Sequence, residues 1–258
     1  MNWFEELKNG NFVIGMVHLD ALPGTANFKN NMPEIYKKGI EDALALQNGG
    51  VNAIMIENFA DMPYSETLDL SQSVALSAVS AVIKSKTKIP IGIDAAFNDY
   101  KSALSIAKAI DADFVRIPVF VDTVDSFIGI IKPVCDKAIK YRKMLNAENI
   151  KIFADIQVKY TSRITEQSIE GSANMAISCG ADAVIVTGSH TGGETPLESI
   201  KRVRNAIKSP VIIGSGFNNQ NAKEQFKYAH GAIVGTSLKT ENKIDLEKVN
   251  ELMKIIKK

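Results

Sequence analysis

Short runs of apolar and β-branched residues recur along the chain, and a helix-length amphipathic stretch follows each of them. The runs are nearly continuous in hydrophobicity rather than alternating, as expected for parallel strands that are covered on both faces. Eight of them can be recognised, at residues 13–18, 52–57, 89–94, 113–117, 150–156, 183–187, 210–214 and 231–235. The pattern therefore predicts eight consecutive β/α units.

A similar short sequence leads into several of these strands, at residues 49–54, 111–115, 180–184 and 230–234. A helix C-cap glycine or its substitute and a small residue come before the strand, which is typical of tight αβ loops. Parallel neighbours need a helical crossover, so eight units imply either a closed barrel or a very wide doubly wound sheet. The even spacing and the lack of a linker favour closure. We predict an α/β fold with a single domain over residues 1–258, a TIM (β/α)8 barrel.

Polar residues indicate where some of the helices begin. Thr195, with Pro196 directly after it and Glu198 three residues further on, predicts a helix with an N-cap hydroxyl and a capping box. Asn218 is predicted to cap a helix that runs through Gln225, and Asp245 to open a final helix. The longest stretches without a predicted helix or strand are residues 20–33 and 120–131. Both follow strands and belong to the C-terminal face, where barrel loops contact substrates.

The composition is that of an ordinary globular protein, with 45% hydrophobic residues and a net charge of +1. This balance provides no long-range attraction for nucleic acid or for an acidic membrane surface. No apolar run is long enough to span a membrane, and the N-terminus lacks the features of a secretory signal. Cys135 and Cys179 have no metal-binding spacing and are expected to be reduced thiols. We expect a cytoplasmic protein without nucleic-acid or membrane partners. A homo-oligomer is possible, although the sequence identifies no interface.

Polar residues stand at the C-terminal ends of the predicted strands, which meet at one mouth in a barrel. Those of the first five strands, with one residue just beyond, are His18, Glu57, Asp94, Arg116, Asp155 and Lys159. A carboxylate inside an apolar strand is unfavourable unless it is paired or solvated, and a functional site would explain its presence. There are structural alternatives: Arg116 could serve only as a counterion of Asp94 or Asp155, and His18 could be a core histidine. His230 precedes strand eight at the opposite face, where a structural role is expected.

Two glycine-containing turns follow strands seven and eight, Gly214-Ser215-Gly216 and Gly235-Thr236-Ser237. Glycines let backbone N–H groups approach an anion closely, hydroxyl groups can add hydrogen bonds, and barrels commonly hold a phosphate at this place. Gly188 and Ser189, in the loop after strand six, could supply further donors to the same ligand. The alternative is that these segments are only tight turns between strands and helices.

The sequence contains no HExxH motif and no EF-hand loop, and we predict no cofactor. Glu57, Asp94 and Asp155 could bind a divalent metal through their oxygens. Three carboxylates on different strands are equally consistent with acid–base catalysis. The residues alone do not choose between these two interpretations.

Several stretches, spread from one end of the chain to the other, resemble the BtpA/SgcQ family. They are residues 15–19 with 22–24, 49–55, 151–155, 183–193, and 214–216 with 235–239. The resemblance implies a TIM barrel similar to the ribulose-phosphate-binding barrels. The family takes its name from photosystem I biogenesis in cyanobacteria, and other members are encoded with carbohydrate-metabolism genes. The mouth differs from the family pattern, since residues 94–99 lack a commonly found arginine and residues 157–160 lack two histidines.

These observations favour an enzyme that acts on a small anionic substrate, a phosphorylated sugar or a nucleoside-type molecule, by carboxylate acid–base chemistry. It would be a hydrolase, lyase or isomerase, with one carboxylate as base or nucleophile. Lys159 or His18 would supply a proton, and Arg116 would stabilise negative charge. Glu57 and Asp155 are the expected pair for a glycosidic or N-glycosidic bond. The alternative is a non-catalytic scaffold protein for membrane-complex biogenesis or metabolite sensing.

Overall fold

Eight parallel strands close into a barrel in which each strand pairs with its neighbours in the chain, and the last pairs with the first. The computed structural model describes residues 2–257. The strands are β1 Phe12–His18, β2 Ala53–Glu57, β3 Ile91–Asp94, β4 Phe114–Ile117, β5 Lys151–Ile156, β6 Ala183–Val186, β7 Val211–Ile213 and β8 Gly231–Val234. They agree with the predicted runs to within two residues at either end. The predicted TIM barrel is therefore confirmed.

A helix follows every strand and covers its outer face, and one further helix, α1, precedes β1. The helices are α1 Trp3–Lys8, α2 Met32–Asn48, α3 Leu70–Lys86, α4 Tyr100–Ala109, α5 Cys135–Met144, α6 Ile169–Ser178, α7 Leu197–Ala206, α8 Ala222–Gln225 and α9 Leu246–Ile256. Asp245 caps α9, as predicted, because its carboxylate accepts hydrogen bonds from the amides of Glu247 and Lys248. Among residues 2–257, no helix has the length and hydropathy needed to cross a membrane.

Two of the predicted helix caps were wrong. Pro196 occupies the cap position of α7, and the hydroxyl of Thr195 donates instead to the carbonyl oxygen of Ser215, at 3.0 Å. The cap position of α8 belongs to Asn221, so that Asn218 shapes the preceding turn rather than the helix. Short polar side chains bond to the backbone of turns as readily as to helix ends, and the sequence alone does not distinguish the two.

The segment 120–131 also differs from its prediction, because it contains a β-hairpin. A three-stranded antiparallel sheet, here called the mouth sheet, is formed by Val124–Ser126, Gly129–Ile131 and, from the loop after β5, Ser162–Arg163. Ser126 holds the hairpin turn by donating its hydroxyl to the carbonyl oxygen of Gly129, at 3.0 Å. Strands of two or three residues are too short to show a hydrophobic period, which is why the sequence did not predict them.

Apolar side chains fill the N-terminal half of the barrel interior. Phe114 and Phe153 stack with their ring centroids 4.7 Å apart, and Trp3 of α1 packs against Phe114 at 5.5 Å. His230 lies at the same end, where its Nδ1 accepts a hydrogen bond from the amide of Val211 at 3.0 Å. Burial lowers the pKa of His230 to about 4. This end of the barrel is thus sealed and apolar, and it leaves the opposite end for polar chemistry.

Candidate active site at the barrel mouth

Four ionisable residues lie side by side at one level of the barrel mouth. His18 of β1 pairs in register with Glu57 of β2, Glu57 with Asp94 of β3, and Asp94 with Arg116 of β4. Residues at the same level of neighbouring parallel strands point to the same side of the sheet, and all four line the cavity at the mouth. The convergence expected from the strand ends is therefore present. The register that aligns these residues could not be predicted from the sequence.

Arg116 is held by two buried carboxylates. Its Nε and Nη2 donate to the two carboxylate oxygens of Asp155, both at 2.8 Å, and its Nη1 donates to Oδ2 of Asp94 at 3.1 Å. Paired hydrogen bonds of this kind fix the plane of a guanidinium group as well as its position. Asp155 does not reach the cavity, so it orients Arg116 there rather than facing a ligand itself.

Asp94 is a buried carboxyl group that favours its neutral form. Burial and the nearby negative charges of Glu57 and Asp155 outweigh the attraction of Arg116 and raise the pKa of Asp94 to about 8. Its Oδ1 is buried and has no hydrogen-bond partner among residues 2–257. Because Oδ2 already accepts from Arg116, Oδ1 is the oxygen that would carry the proton at neutral pH.

Glu57 favours the opposite state. Burial by itself would raise its pKa, but the hydrogen bond from His18 and the positive charges of Arg116 and Lys159 lower the pKa of Glu57 to about 2. Burial together with the charge of Arg116 lowers the pKa of Lys159, whose side chain also lines the cavity. One cavity thus contains an ionised carboxylate and a neutral carboxylic acid on neighbouring strands.

His18 is fixed between Glu57 and Lys239, a lysine that no sequence motif marks as a site residue. Nε2 of His18 lies 3.4 Å from Oε2 of Glu57, and its Nδ1 lies 2.6 Å from Nζ of Lys239. An ammonium group has only donors, so Nδ1 accepts and the ring proton is on Nε2, facing Glu57. Burial lowers the pKa of His18 and also lowers that of Lys239, to about 8. Lys239 follows the turn after β8, and nothing in the sequence indicates that its side chain points inward.

The turns after β7 and β8 line the opposite side of a cavity of about 440 Å³. The amides of Ser215, Gly216, Thr236 and Ser237 donate no backbone hydrogen bond within residues 2–257, so they remain free to bind an anion. Gly216 has a φ of +68°, and a Cβ there would lie 2.3 Å from Cα of Glu194. Only glycine therefore fits this position of the turn.

Gly188, Ser189 and Ser237, the other predicted phosphate donors, do not all direct their polar groups into the cavity. The amide of Gly188 donates to Oγ of Ser215 at 2.8 Å, and Oγ of Ser189 lies 2.9 Å from Nδ1 of His190. Neither residue lines the cavity, although their loop contributes Thr191 and Gly192 to it. The hydroxyl of Ser237 donates to the carbonyl oxygen of Phe217 at 2.8 Å, which leaves its amide for a ligand.

Within residues 2–257, no three His, Cys, Asp or Glu side chains come close enough together to hold a metal ion. Asp155 directs both oxygens to Arg116, and Asp94 directs one. The carboxylates that a divalent metal would need are thus arranged around a guanidinium group. The acid–base interpretation of these residues fits the geometry better than the metal interpretation.

Aromatic side chains surround the entrance on the side of β2 to β4. We call this set the aromatic lip; it consists of Phe59, Tyr64, Phe97 and Phe127. The ring of Phe127, at the tip of the mouth sheet, lies edge-on to Phe97 at 6.1 Å and tilted toward Tyr64 at 6.5 Å. Phe59 stacks on the imidazole of His18 at 4.1 Å. The four residues come from three separate loops, so their spacing along the sequence indicates no common site.

The similarity to known proteins extends over nearly the whole chain. The sequence model of the BtpA family matches residues 9–258. A protein of Archaeoglobus fulgidus is 36% identical over 245 residues, covering 95% of this chain and 98% of that protein. The photosystem I biogenesis protein BtpA of Synechocystis sp. is 32% identical over 248 residues, covering 95% of this chain and 86% of that protein.

A solved structure shares the fold at low sequence identity. It is (S)-3-O-geranylgeranylglyceryl phosphate synthase from Thermoplasma acidophilum in complex with its substrate sn-glycerol-1-phosphate. The two chains align with a TM-score of 0.65 and 18% identity, covering 99% of this chain and 97% of the other. The likeness supports the barrel fold found here.

Proposed function

The chain belongs to the BtpA family, and on that premise we propose that it is an enzyme that binds a small phosphorylated, sugar-containing substrate and acts on it by acid–base catalysis. The observation that carries this proposal is the placement of Glu57 and Asp94, which lie in register on neighbouring strands and line one cavity. Contact with His18 and nearby positive charges lower the pKa of Glu57, whereas burial raises the pKa of Asp94. Two carboxyl groups whose pKa values are pushed apart by their surroundings are suited to act as base and acid in one reaction.

The phosphate would bind at the turns after β7 and β8. Their free amides and the hydroxyl of Thr236 face the cavity at the place where barrels commonly hold a phosphate. The synthase from Thermoplasma acidophilum, which shares the fold, was solved with a phosphorylated glycerol. A phosphate bound here would direct the rest of the substrate across the cavity toward β1 to β4.

The reacting part of the substrate would then lie over the row of ionisable residues. In cleavage of a glycosidic or N-glycosidic bond, Asp94 would donate its proton to the leaving oxygen or nitrogen, and Glu57 would stabilise positive charge on the sugar. In an isomerisation, Glu57 would accept a proton from the substrate, and Asp94 would donate its proton to the enolate oxygen. Arg116 would stabilise negative charge that develops on an oxygen. Asp155 would act as a positioning residue that keeps Arg116 in place. This role differs from the one predicted from the sequence, in which Asp155 and Glu57 act as the carboxylate pair on a glycosidic bond.

The experiment measures binding and turnover separately. Inorganic phosphate, glycerol 1-phosphate and ribose 5-phosphate are titrated calorimetrically, and a panel of sugar phosphates is followed by NMR for product. Asp94→Asn and Glu57→Gln should keep the affinity for the best substrate and lower its turnover by roughly 100-fold or more, as loss of a general acid or base does. Thr236→Val should weaken binding of every phosphorylated probe. Unchanged turnover in both carboxyl variants would contradict the proposal.

A non-catalytic scaffold is the second candidate, and the observation that favours it is the name of the Synechocystis relative, a photosystem I biogenesis protein. A scaffold that senses a phosphorylated metabolite would use the same cavity without turnover. It would be favoured if the tightest ligand is recovered unchanged after prolonged incubation with the wild type. The two candidates therefore separate on turnover and not on binding.

A further inference from the structure

The cavity has two chemically different ends and a charged floor between them. At the β7 and β8 end it offers backbone amides and hydroxyl groups, and at the other end it offers the aromatic lip. The floor is formed by His18, Glu57, Asp94, Arg116 and Lys159. A ligand that matches all three parts has an anionic group, a polar middle and an uncharged, apolar far end.

Two residues of the aromatic lip remain exposed although they line the cavity. Phe127 is 54% exposed and Phe59 is 37% exposed, whereas Phe97 is buried. The trio of Tyr64, Phe97 and Phe127 is held firmly, because Tyr64 donates its hydroxyl to the carbonyl oxygen of Phe59 at 2.6 Å and Phe97 is buried. Clustered apolar side chains that remain exposed around a concave site indicate a surface that a ligand covers.

The lip and floor together favour a flat ring over an alkyl chain. The rings meet at inclined angles, 75° between Phe97 and Phe127 and 44° between Tyr64 and Phe127, and such a cluster offers both faces and edges to a further ring. The charged floor lies next to the lip. An alkyl chain would remove water from these charged groups without replacing its hydrogen bonds, whereas sugar hydroxyls would bond to them. A cavity of about 440 Å³ lies in the range that takes one small organic ligand.

We propose that the ligand is of the nucleotide class: a phosphorylated sugar that carries an aromatic heterocycle, with the heterocycle held by the aromatic lip. The inference rests on the proposed function, since it uses the phosphate site at β7 and β8. The sugar lies over Glu57 and Asp94, and the heterocycle lies against Phe127. The structure thereby assigns a specificity role to the mouth sheet, whose hairpin carries Phe127 to the cavity.

The test compares three probes on three proteins by calorimetry. The probes are ribose 5-phosphate, adenosine 5′-monophosphate and hexyl phosphate, and the proteins are the wild type, Phe127→Ala and the matched control Phe127→Leu, which keeps apolar bulk without a ring. The wild type should bind adenosine 5′-monophosphate roughly tenfold more tightly than ribose 5-phosphate, as stacking of one base predicts. Phe127→Ala and Phe127→Leu should both lose most of that advantage and bind ribose 5-phosphate as the wild type does.

The contradicting outcomes separate the two proposals. Equal affinity of the wild type for the nucleotide and for ribose 5-phosphate would overturn the role of the lip and leave the phosphate site intact. If hexyl phosphate binds more tightly than adenosine 5′-monophosphate, and Phe127→Leu keeps that affinity, the lip would hold an aliphatic chain and not a heterocycle. If neither ribose 5-phosphate nor inorganic phosphate binds the wild type, the proposed function fails. Phosphate-free adenosine, titrated against the wild type and Phe127→Ala, would then show whether the lip binds rings by itself.

Discussion

The two ends of the barrel interior are built from the same strands and have opposite chemistry. At the N-terminal end, β4 and β5 contribute Phe114 and Phe153, which stack under Trp3. Two residues further along each strand, β4 and β5 contribute Arg116 and Asp155, joined by paired hydrogen bonds. Well-packed apolar residues would stabilise the second layer at least as well as buried charges do. The charged layer therefore indicates a function that the apolar layer does not have.

Two histidines, the buried His18 and the half-buried His230, show the same contrast. Burial lowers the pKa of both, and both accept a hydrogen bond on Nδ1. His230 accepts from a backbone amide and stabilises a loop, whereas His18 accepts from Lys239 and directs its Nε2 toward Glu57. The same side chain is thus structural at one end and part of a charged network at the other.

The largest expected effect is on stability at the mouth. Asp155→Ala leaves Arg116 with a buried charge and only Asp94 as a partner, and it should lower the free energy of unfolding by about 3–5 kcal/mol. Urea denaturation measures this difference. The double variant Arg116→Met/Asp155→Leu, which removes the charges together, should recover much of the loss. An Asp155→Ala protein as stable as the wild type would mean that the paired charges are not held as described.

The second effect depends on pH and belongs to Asp94. Its pKa is about 8 in the folded protein and near 3.8 when unfolded, so the folded state binds the extra proton between these values. Stability from this group is fully present below pH 4 and is lost as pH rises from 4 through 8. Asp94→Asn should lack this decline. Urea midpoints of both proteins at pH 5, 7 and 9 measure it, and parallel profiles would contradict the raised pKa.

Lys239 and Glu57 do not obscure that comparison. Lys239, with its pKa lowered to about 8, makes stability rise with pH above 8, and it does so in both proteins. Glu57, with its pKa near 2, loses its contribution only as pH falls from about 4.5 toward 2. The difference between the wild type and Asp94→Asn therefore reports the titration of Asp94 together with its electrostatic effect on Lys159.

A smaller effect is expected at the apolar end. Phe153→Leu removes the ring that stacks on Phe114 and should lower the free energy of unfolding by about 1–3 kcal/mol. Because this layer lies below the cavity, the affinity for ribose 5-phosphate should stay at the wild-type value. Calorimetry on the folded variant checks this, and a changed affinity would show that the two layers are coupled.

The smallest effect is a change in proton position. In Lys239→Met, Nδ1 of His18 loses its donor and a nearby positive charge, so the pKa of His18 should rise and its Nε2–H tautomer should become less dominant. Nitrogen-15 NMR of the imidazole rings reports both quantities. His230 is the internal control, since its amide donor Val211 is untouched. An unchanged His18 spectrum would mean that Lys239 does not set the tautomer.

The sequence alone predicts the β/α repeat, the closure of the barrel and the strand ends that carry ionisable residues. These features depend on local patterns: apolar runs such as 183–187, loop glycines, and the fact that parallel strand ends meet at one mouth. It also located the turns at Gly214–Gly216 and Gly235–Ser237, because a glycine that permits a close approach is visible without knowing its neighbours.

The roles of these residues depend on contacts that form only in the folded barrel. Whether Arg116 takes its bidentate partner from β3 or β5 depends on strand register, and the inward direction of Lys239 depends on the turn after β8. The aromatic lip needs three loops and a hairpin to meet. Register, side-chain direction and loop packing arise when the barrel closes and brings together residues that are far apart in the chain. No local pattern contains them.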